Sequence, residues 1–193
     1  MILKNIKNKK KGEVSILTIG LLSTMIIIMI GVISWYYYYL SVRIEGVHDD
    51  LTYSNLATYK NIDMDAIASN INNIRIDDST GTMDIFEQYL EKNMNLDSNL
   101  NGLKGSLADG QVTVDELTFY NVYNNDIKIL SYNNDTKNFV ASEITDSQDN
   151  PVKTSNGKIV TKTSVYSTIE FNVDLLFNVK KKIKISVCTD ITR

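Results

Sequence analysis

The sequence has little of what most enzymes and most disulfide-stabilised exported domains depend on. It has one cysteine, Cys188, and one histidine, His48, among 193 residues. A lone cysteine cannot form an internal disulfide, and without clusters of His or Cys a zinc or Cys-His enzyme is excluded. None of the common catalytic or nucleotide-binding signatures occurs either. We therefore predict no enzymatic activity, no cofactor and no metal site, and nothing in the sequence indicates a small-molecule substrate.

Charge is missing from one long stretch, the 27 residues from Val14 to Leu40. As a helix this stretch would be about 40 Å long. That length exceeds the roughly 30 Å of a bilayer's hydrocarbon core, so the sequence predicts a single transmembrane helix. Basic residues cluster ahead of it, at Lys4, Lys7, Lys9, Lys10 and Lys11. This bias predicts a cell-membrane protein with a cytoplasmic N-terminus and its C-terminal domain outside.

A cleavable signal peptide is the competing interpretation of the same stretch. Its apolar region is typically about 7 to 15 residues long and ends in small residues. Here the stretch is longer and ends in five aromatic residues, which suit a membrane–water interface: Trp35, Tyr36, Tyr37, Tyr38 and Tyr39.

The distribution of charge favours membrane lipid, and not nucleic acid, as a partner. Without the five tail lysines and Glu13, the chain keeps 20−5=15 basic and 23−1=22 acidic residues, a net charge of −7. Such a domain has no electrostatic affinity for nucleic acid. The tail lysines are explained by orientation and by attraction to anionic lipid head groups.

One face of the predicted span is small and polar, with spacings that are multiples of a helical turn. Bulkier residues such as Ile26 and Met29 lie on the opposite face. Small residues let membrane helices approach closely, although they are also common in spans that pack against nothing. The candidate packing positions are Glu13, Gly20, Thr24, Gly31 and Ser34.

After the span, the pattern predicts an α+β domain. Apolar residues continue at helical spacing through Ser41 to Lys60, then over Ile62 to Arg75, and again from a Thr82 cap to Met94. From Gln111 the period changes to two, which predicts an antiparallel sheet. Its strands are Gln111 to Val122, Ile127 to Tyr132, Asn138 to Ile144, one starting at Lys158, Val165 to Phe177, and Lys182 to Ile191.

The last two strands are predicted to form a hairpin with both apolar sets on one face. That parity requires an odd loop, which we centre on Val179, so that Asp174 opposes Lys184 and Glu170 opposes Cys188. Cys188 then lies on the polar side of the sheet with no basic partner nearby.

The loop from Asn95 to Gly110 is rich in Asn, Asp, Ser and Gly. Two partial matches to a calcium-binding EF-hand loop occur here, and each lacks an essential carboxylate: Ala108 occupies the twelfth position of the first, and Gly105 the first position of the second. A plain turn stabilised by Asx side chains is the favoured interpretation, and an ion-binding loop the alternative.

Three groups of residues resemble the tight-adherence (TadE-like), type IVb pilin-like proteins of Gram-positive bacteria. They are KKKGE at 9–13 ahead of an apolar helix, NGK at 156–158 with TSVY at 163–166, and IEF at 169–171. The resemblance implies a pilin-like fold and a processing site at Gly12 and Glu13. In such pilins a peptidase cleaves after the glycine and a glutamate lies five residues beyond. Here Glu13 follows Gly12 directly, so cleavage and an intact chain both stay open.

The sequence thus predicts one chain with four segments: a basic tail (1–13), a transmembrane helix (14–40), a helical extension with two further helices (41–110), and an antiparallel β region (111–193). The predicted function is that of a single-pass, pseudopilin-like structural component of a pilus or secretion apparatus. Its partners would be membrane lipid and other membrane or pilin-like subunits. The alternative is a membrane-anchored binding or sensor module that uses the Asn95 to Gly110 loop.

Overall fold

The structure, a computed structural model, describes residues 2–61, 75–76, 81–145, 147 and 151–191. Side chains are described within these ranges from residue 15 onward, apart from those of residues 61 and 178. The chain forms two compact units, residues 1–44 and residues 45–193.

Helix α1 extends from Ile2 to Ala57 and ends in a 3₁₀ turn, Thr58–Asn61. It contains one segment, Ser15–Lys60, that is long and apolar enough to cross a membrane, and none of its most apolar window is buried. The predicted continuation of the helix beyond the span is confirmed. Within the second unit, Val47 and Leu51 are buried one turn apart, which gives this end of α1 the stripe of a helix packed on a core.

Helix α2 extends from Thr82 to Met94. Four of its side chains are buried at intervals of four residues: Thr82, Phe86, Leu90 and Met94. The predicted Thr82 cap is wrong by one residue, because Gly81 occupies the cap position with a left-handed φ of 112°, which glycine adopts without strain. The predicted helix over Ile62 to Arg75 lies outside the described residues, except for Arg75 itself.

The sheet has five antiparallel strands in the order β3-β2-β1-β4-β5. Their bounds are β1 Thr113–Tyr123, β2 Asp126–Asn133, β3 Asn138–Ile144, β4 Ser164–Asp174 and β5 Lys180–Asp190. A register shift between Val114 and Glu116 interrupts the pairing of β1 with β4. The α+β class is therefore confirmed. The strand predicted to begin at Lys158 is wrong, because that segment makes only an isolated bridge between Lys153 and Ile159.

Both faces of the central strands β1 and β4 are buried. One face carries Phe119 and Val165, which are register partners, and packs beneath α1. The opposite face carries a second cluster formed by Tyr120, Ile127 and Tyr166 together with Val152 and Val160. Those two valines come from the segment between β3 and β4. The face predicted to be polar is therefore partly a second core.

The β4–β5 register differs from the predicted one. Asp174 pairs with Lys180, Glu170 with Lys184, and Tyr166 with Cys188, so the hairpin is centred on Phe177. Phe177, the last residue of the predicted strand, is 88% exposed in a 3₁₀ turn, with a φ of 64°. Parity survives because the two registers differ by an even number of residues. The observed register lets each of three lysines reach a carboxylate: Lys182 bonds Glu170, Lys180 bonds Asp109, and Lys184 lies 3.0 Å from Asp115.

The connection from α2 to β1 folds tightly on itself. The Gly102 amide donates to the Gly110 carbonyl oxygen (2.9 Å), and the Asp109 amide donates to the Asn172 carbonyl oxygen at the end of β4 (2.8 Å). A Cβ added at Gly102 would lie 2.0 Å from the Ala108 carbonyl oxygen. Since that atom is backbone, it cannot rotate away. Glycine is required here for close approach rather than for a special φ angle.

We therefore expect Gly102→Ala to lower the free energy of unfolding by about 2 to 4 kcal/mol, because overpacking must displace the loop. The matched control is Gly46→Ala in α1, where an added Cβ meets open space. There we expect a gain of about 1 kcal/mol from helix propensity. Thermal unfolding of the detergent-solubilised full chain measures both. Equal midpoints for the two variants would contradict the steric argument.

Candidate functional site

The first candidate surface is the small-residue face of α1. Gly20 and Gly31 are both exposed, and a Cβ at either position would meet nothing within 4 Å. The Thr24 hydroxyl donates to the Gly20 carbonyl oxygen at 2.6 Å, so its hydrogen-bonding need is met inside the helix. Ser34 is exposed on the same face. No contact described within this chain requires these residues to be small.

Gly12 and Glu13, the candidate processing site, lie within the helical backbone of α1. The side chain of Glu13 lies outside the described residues, so its packing role stays a prediction.

The aromatic residues that end the span form a second candidate surface. Trp35 and Tyr39 stack with ring centroids 6.1 Å apart, as residues four apart on a helix do. Tyr36 and Tyr37 meet edge to face at 6.1 Å. Trp35 and Tyr38 are the most exposed of the five, at 68% and 70%. Large rings exposed on an apolar helix are typical of an interfacial belt.

Sequence reasoning missed the residue that fixes the C-terminal turns of α1 to the sheet. Asn55 is fully buried, and its Nδ2 lies 3.1 Å from Thr189 Oγ1 and 3.5 Å from the carbonyl oxygens of Val165 and Val187. Four residues on, the Tyr59 hydroxyl donates to the Thr189 carbonyl oxygen at 2.8 Å. The available signal was position, because Asn55 follows Val47 and Leu51 at intervals of four on the buried stripe.

Helix α2 is held against the same part of α1. Lys60 Nζ lies 2.5 Å from the Tyr89 hydroxyl and 4.6 Å from the centre of its ring. The Asn93 side-chain amide donates to the Asp50 carbonyl oxygen at 3.3 Å. Asn121 in turn accepts from the Ile76 amide at 2.8 Å and donates to its carbonyl oxygen at 3.1 Å. These contacts join the end of α1 to α2, and β1 to residue 76, within the second unit.

The Asn95 to Gly110 loop is built around the Asp97 carboxylate. Its Oδ1 accepts from the amides of Asn99 (2.9 Å) and Asn101 (2.8 Å), and both its oxygens lie 3.2 Å from Asn101 Nδ2. These donors, the Asn101 amide first, lower the pKa of Asp97 below its usual value. In the part of the chain that the structure describes, no three metal-binding side chains cluster. The geometry is that of an Asx turn.

Cys188 does have a basic neighbour, contrary to the sequence expectation. It is half-buried against the second core, and its Sγ lies 3.9 Å from Asp190 Oδ1. Lys158 Nζ lies 2.8 Å from the same oxygen. Burial raises the pKa of the Cys188 thiol, and the Lys158 ammonium opposes that shift without reversing it. A half-buried thiol with a raised pKa is a poor nucleophile at neutral pH.

Comparison with known proteins adds no relative to this description. No protein-family model, no curated protein and no solved structure matches the chain.

Because N–H donors hold the Asp97 carboxylate, we expect calcium to leave the rate of tryptic cleavage at the exposed Lys104 unchanged. Asp97→Ala should speed that cleavage severalfold, and Ser98→Ala, on the exposed turn beside it, should not. The folded pKa lies below the unfolded value, so the stabilisation is present above pH about 4 and is lost as pH falls through the folded pKa. Protection of Lys104 that depends on calcium would contradict this interpretation of the loop.

Proposed function

We propose that this chain is a single-pass membrane, pseudopilin-like structural component of a pilus or secretion apparatus. The supporting observation is that one helix, Ile2–Ala57, contains both the apolar segment and the turns that pack on an antiparallel sheet. Asn55 and Tyr59 hold those turns by hydrogen bonds to β4 and β5. The same helix therefore supplies both the apolar segment and part of the domain's packing, which is what a membrane-held structural subunit requires.

The orientation and partners in this proposal follow from charge and side-chain size. The tail lysines favour a cytoplasmic N-terminus beside anionic lipid, with the C-terminal domain outside. Gly20 and Gly31 are exposed and unconstrained within the chain, so the partner of this face would be another membrane or pilin-like helix. The resemblance of KKKGE at 9–13 to TadE-like pilins favours the same assignment.

The alternative was a membrane-anchored binding or sensor module. It relied on the Asn95 to Gly110 loop, whose most suitable carboxylate, Asp97, is occupied by N–H groups of the loop itself. A structural role is therefore the better-supported of the two.

The helix face is tested by adding bulk to it. We expect Gly20→Leu with Gly31→Leu to weaken association with other apparatus subunits about tenfold in membrane extracts, because packing between close helices is lost. Leucine is a better helix former than glycine, so the helix itself is not weakened. The readout is co-purification of those subunits with the tagged full chain.

The matched control is Thr18→Leu with Val32→Leu, which adds bulk on the opposite, exposed side of the same helix. It should leave association unchanged. Equal retention by both double variants would refute the role of the small-residue face.

The mass of the chain recovered from native membranes, with and without the prepilin peptidase, tests whether the protein is processed. Loss of residues 1–12 only when the peptidase is present would identify a processed pilin that can enter a filament. An intact chain would identify a permanent membrane subunit, which assists assembly from within the bilayer. Removal of the whole apolar segment would contradict the proposal, because the protein would then be secreted.

A further inference from the structure

The two edges of the sheet differ in how they are protected. Edge strand β5 carries four lysines, at positions 180, 181, 182 and 184, and the Tyr59 hydroxyl covers the Thr189 carbonyl oxygen near its end. Lysines and covering groups are the usual means of preventing an edge from pairing with another chain. Strand β5 is therefore a guarded edge.

Among the residues that the structure describes, none protects strand β3, at the other edge, in these ways. Its seven residues pair with β2 in one unbroken register, with no bulge, and the sequence NFVASEI contains neither lysine nor proline. Five of the seven are exposed, including Val140 at 55%, and no described strand pairs with the outer side of β3. An open, regular, weakly charged edge is a template for another strand.

We propose that β3 pairs antiparallel with β3 of a second copy of this chain, across a two-fold axis at Ala141. In that register Ala141 opposes its own counterpart, Val140 opposes Ser142, and Phe139 opposes Glu143. Asn138 opposes Ile144 at the ends. The pairing is isologous, so each copy uses the same residues and the assembly closes as a dimer.

The charges of the two edge strands favour pairing of β3 with β3 of a second copy over pairings that involve β5. Glu143 is the only charged residue of β3, and it opposes Phe139 rather than its own counterpart, so no like charges face each other. Pairing of β3 with β5 of another copy gains little, because Lys180, Lys182 and Lys184 already bond carboxylates of their own chain. Pairing of β5 with β5 would bring eight lysines together.

The interface is short, below the size of a stable dimer in solution, so it depends on copies being concentrated in one membrane. To that extent the inference rests on the proposed membrane anchoring. It does not rest on the small-residue face of α1, and the two are separated by their variants. Gly20→Leu with Gly31→Leu tests the helix, and the cross-link described next tests the edge.

The test is cysteine cross-linking of the full chain in membranes, in a Cys188→Ala background. Facing residues in antiparallel strands have Cα atoms about 4.5 to 5.5 Å apart, within the range for a disulfide. Ala141→Cys should therefore give a disulfide-linked dimer under mild oxidation. Asn138→Cys, exposed on the same strand, should not, because its counterpart would lie about 20 Å away along the strand. No dimer with Ala141→Cys, or equal dimer with Asn138→Cys, overturns the proposal.

A charge exchange tests the same axis without a covalent bond. Two differently tagged copies that both carry Ala141→Lys, or both carry Ala141→Glu, should co-purify roughly threefold to fivefold less than the unmodified pair. One copy of each should restore co-purification, because lysine then opposes glutamate. A loss that the mixed pair does not restore would show damage to the strand rather than to the interface, and would count against the proposal.

Discussion

The structure depends on the attachment of the last turns of α1 to β4 and β5. Along the apolar segment, most of the described side chains of α1 are exposed, and none of the most apolar window is buried. After residue 45, the same helix presents Val47 and Leu51 to a core and then Asn55, a buried amide that meets two strands. A polar residue at a core position is costly unless it is hydrogen-bonded, so it specifies one placement of the helix on the sheet.

That placement explains why β1 and β4 are the centre of the fold. On one face of β4, the helix α1 lies over Val165. On the other face, Val152 and Val160 pack against Tyr166. A strand covered on both faces no longer alternates between buried and exposed positions, and β4 is buried at each of its first six residues. The period of two is clear only in its last residues, which extend past the covering segment.

Features of the fold that depend on local periodicity could be predicted from the sequence, whereas features that depend on contacts between distant residues could not. The positions of five of the six predicted strands, the α+β class and the continuation of α1 are set by local periodicity, and they agree with the structure; the strand predicted from Lys158 does not. The β4–β5 register was wrong because parity admits several registers, and the choice among them depends on ion pairs such as Lys180 with Asp109, a residue 71 positions away in sequence (180−109=71). The second core was missed because Val152 and Val160 carry no periodic signal of their own. The basic neighbour of Cys188 was missed for the same reason, since Lys158 arrives with that segment. The small-residue face of α1 was predicted from spacing alone, and it stays a prediction.

The charges of the C-terminal domain are unevenly distributed across its sheet, and this asymmetry connects fold to assembly. Lysines concentrate on β5, where each of three meets a carboxylate of the surrounding chain, so they guard that edge and also fix the register of the hairpin. Strand β3, at the far edge, contains no lysine, although Val140 is more than half exposed there. A sheet that protects one edge and leaves the other open limits strand pairing to one side. If two open edges pair, both are consumed and growth stops at a dimer, whereas further assembly must use another surface. In the proposed assembly that surface is the apolar segment of α1, whose most apolar window is not buried.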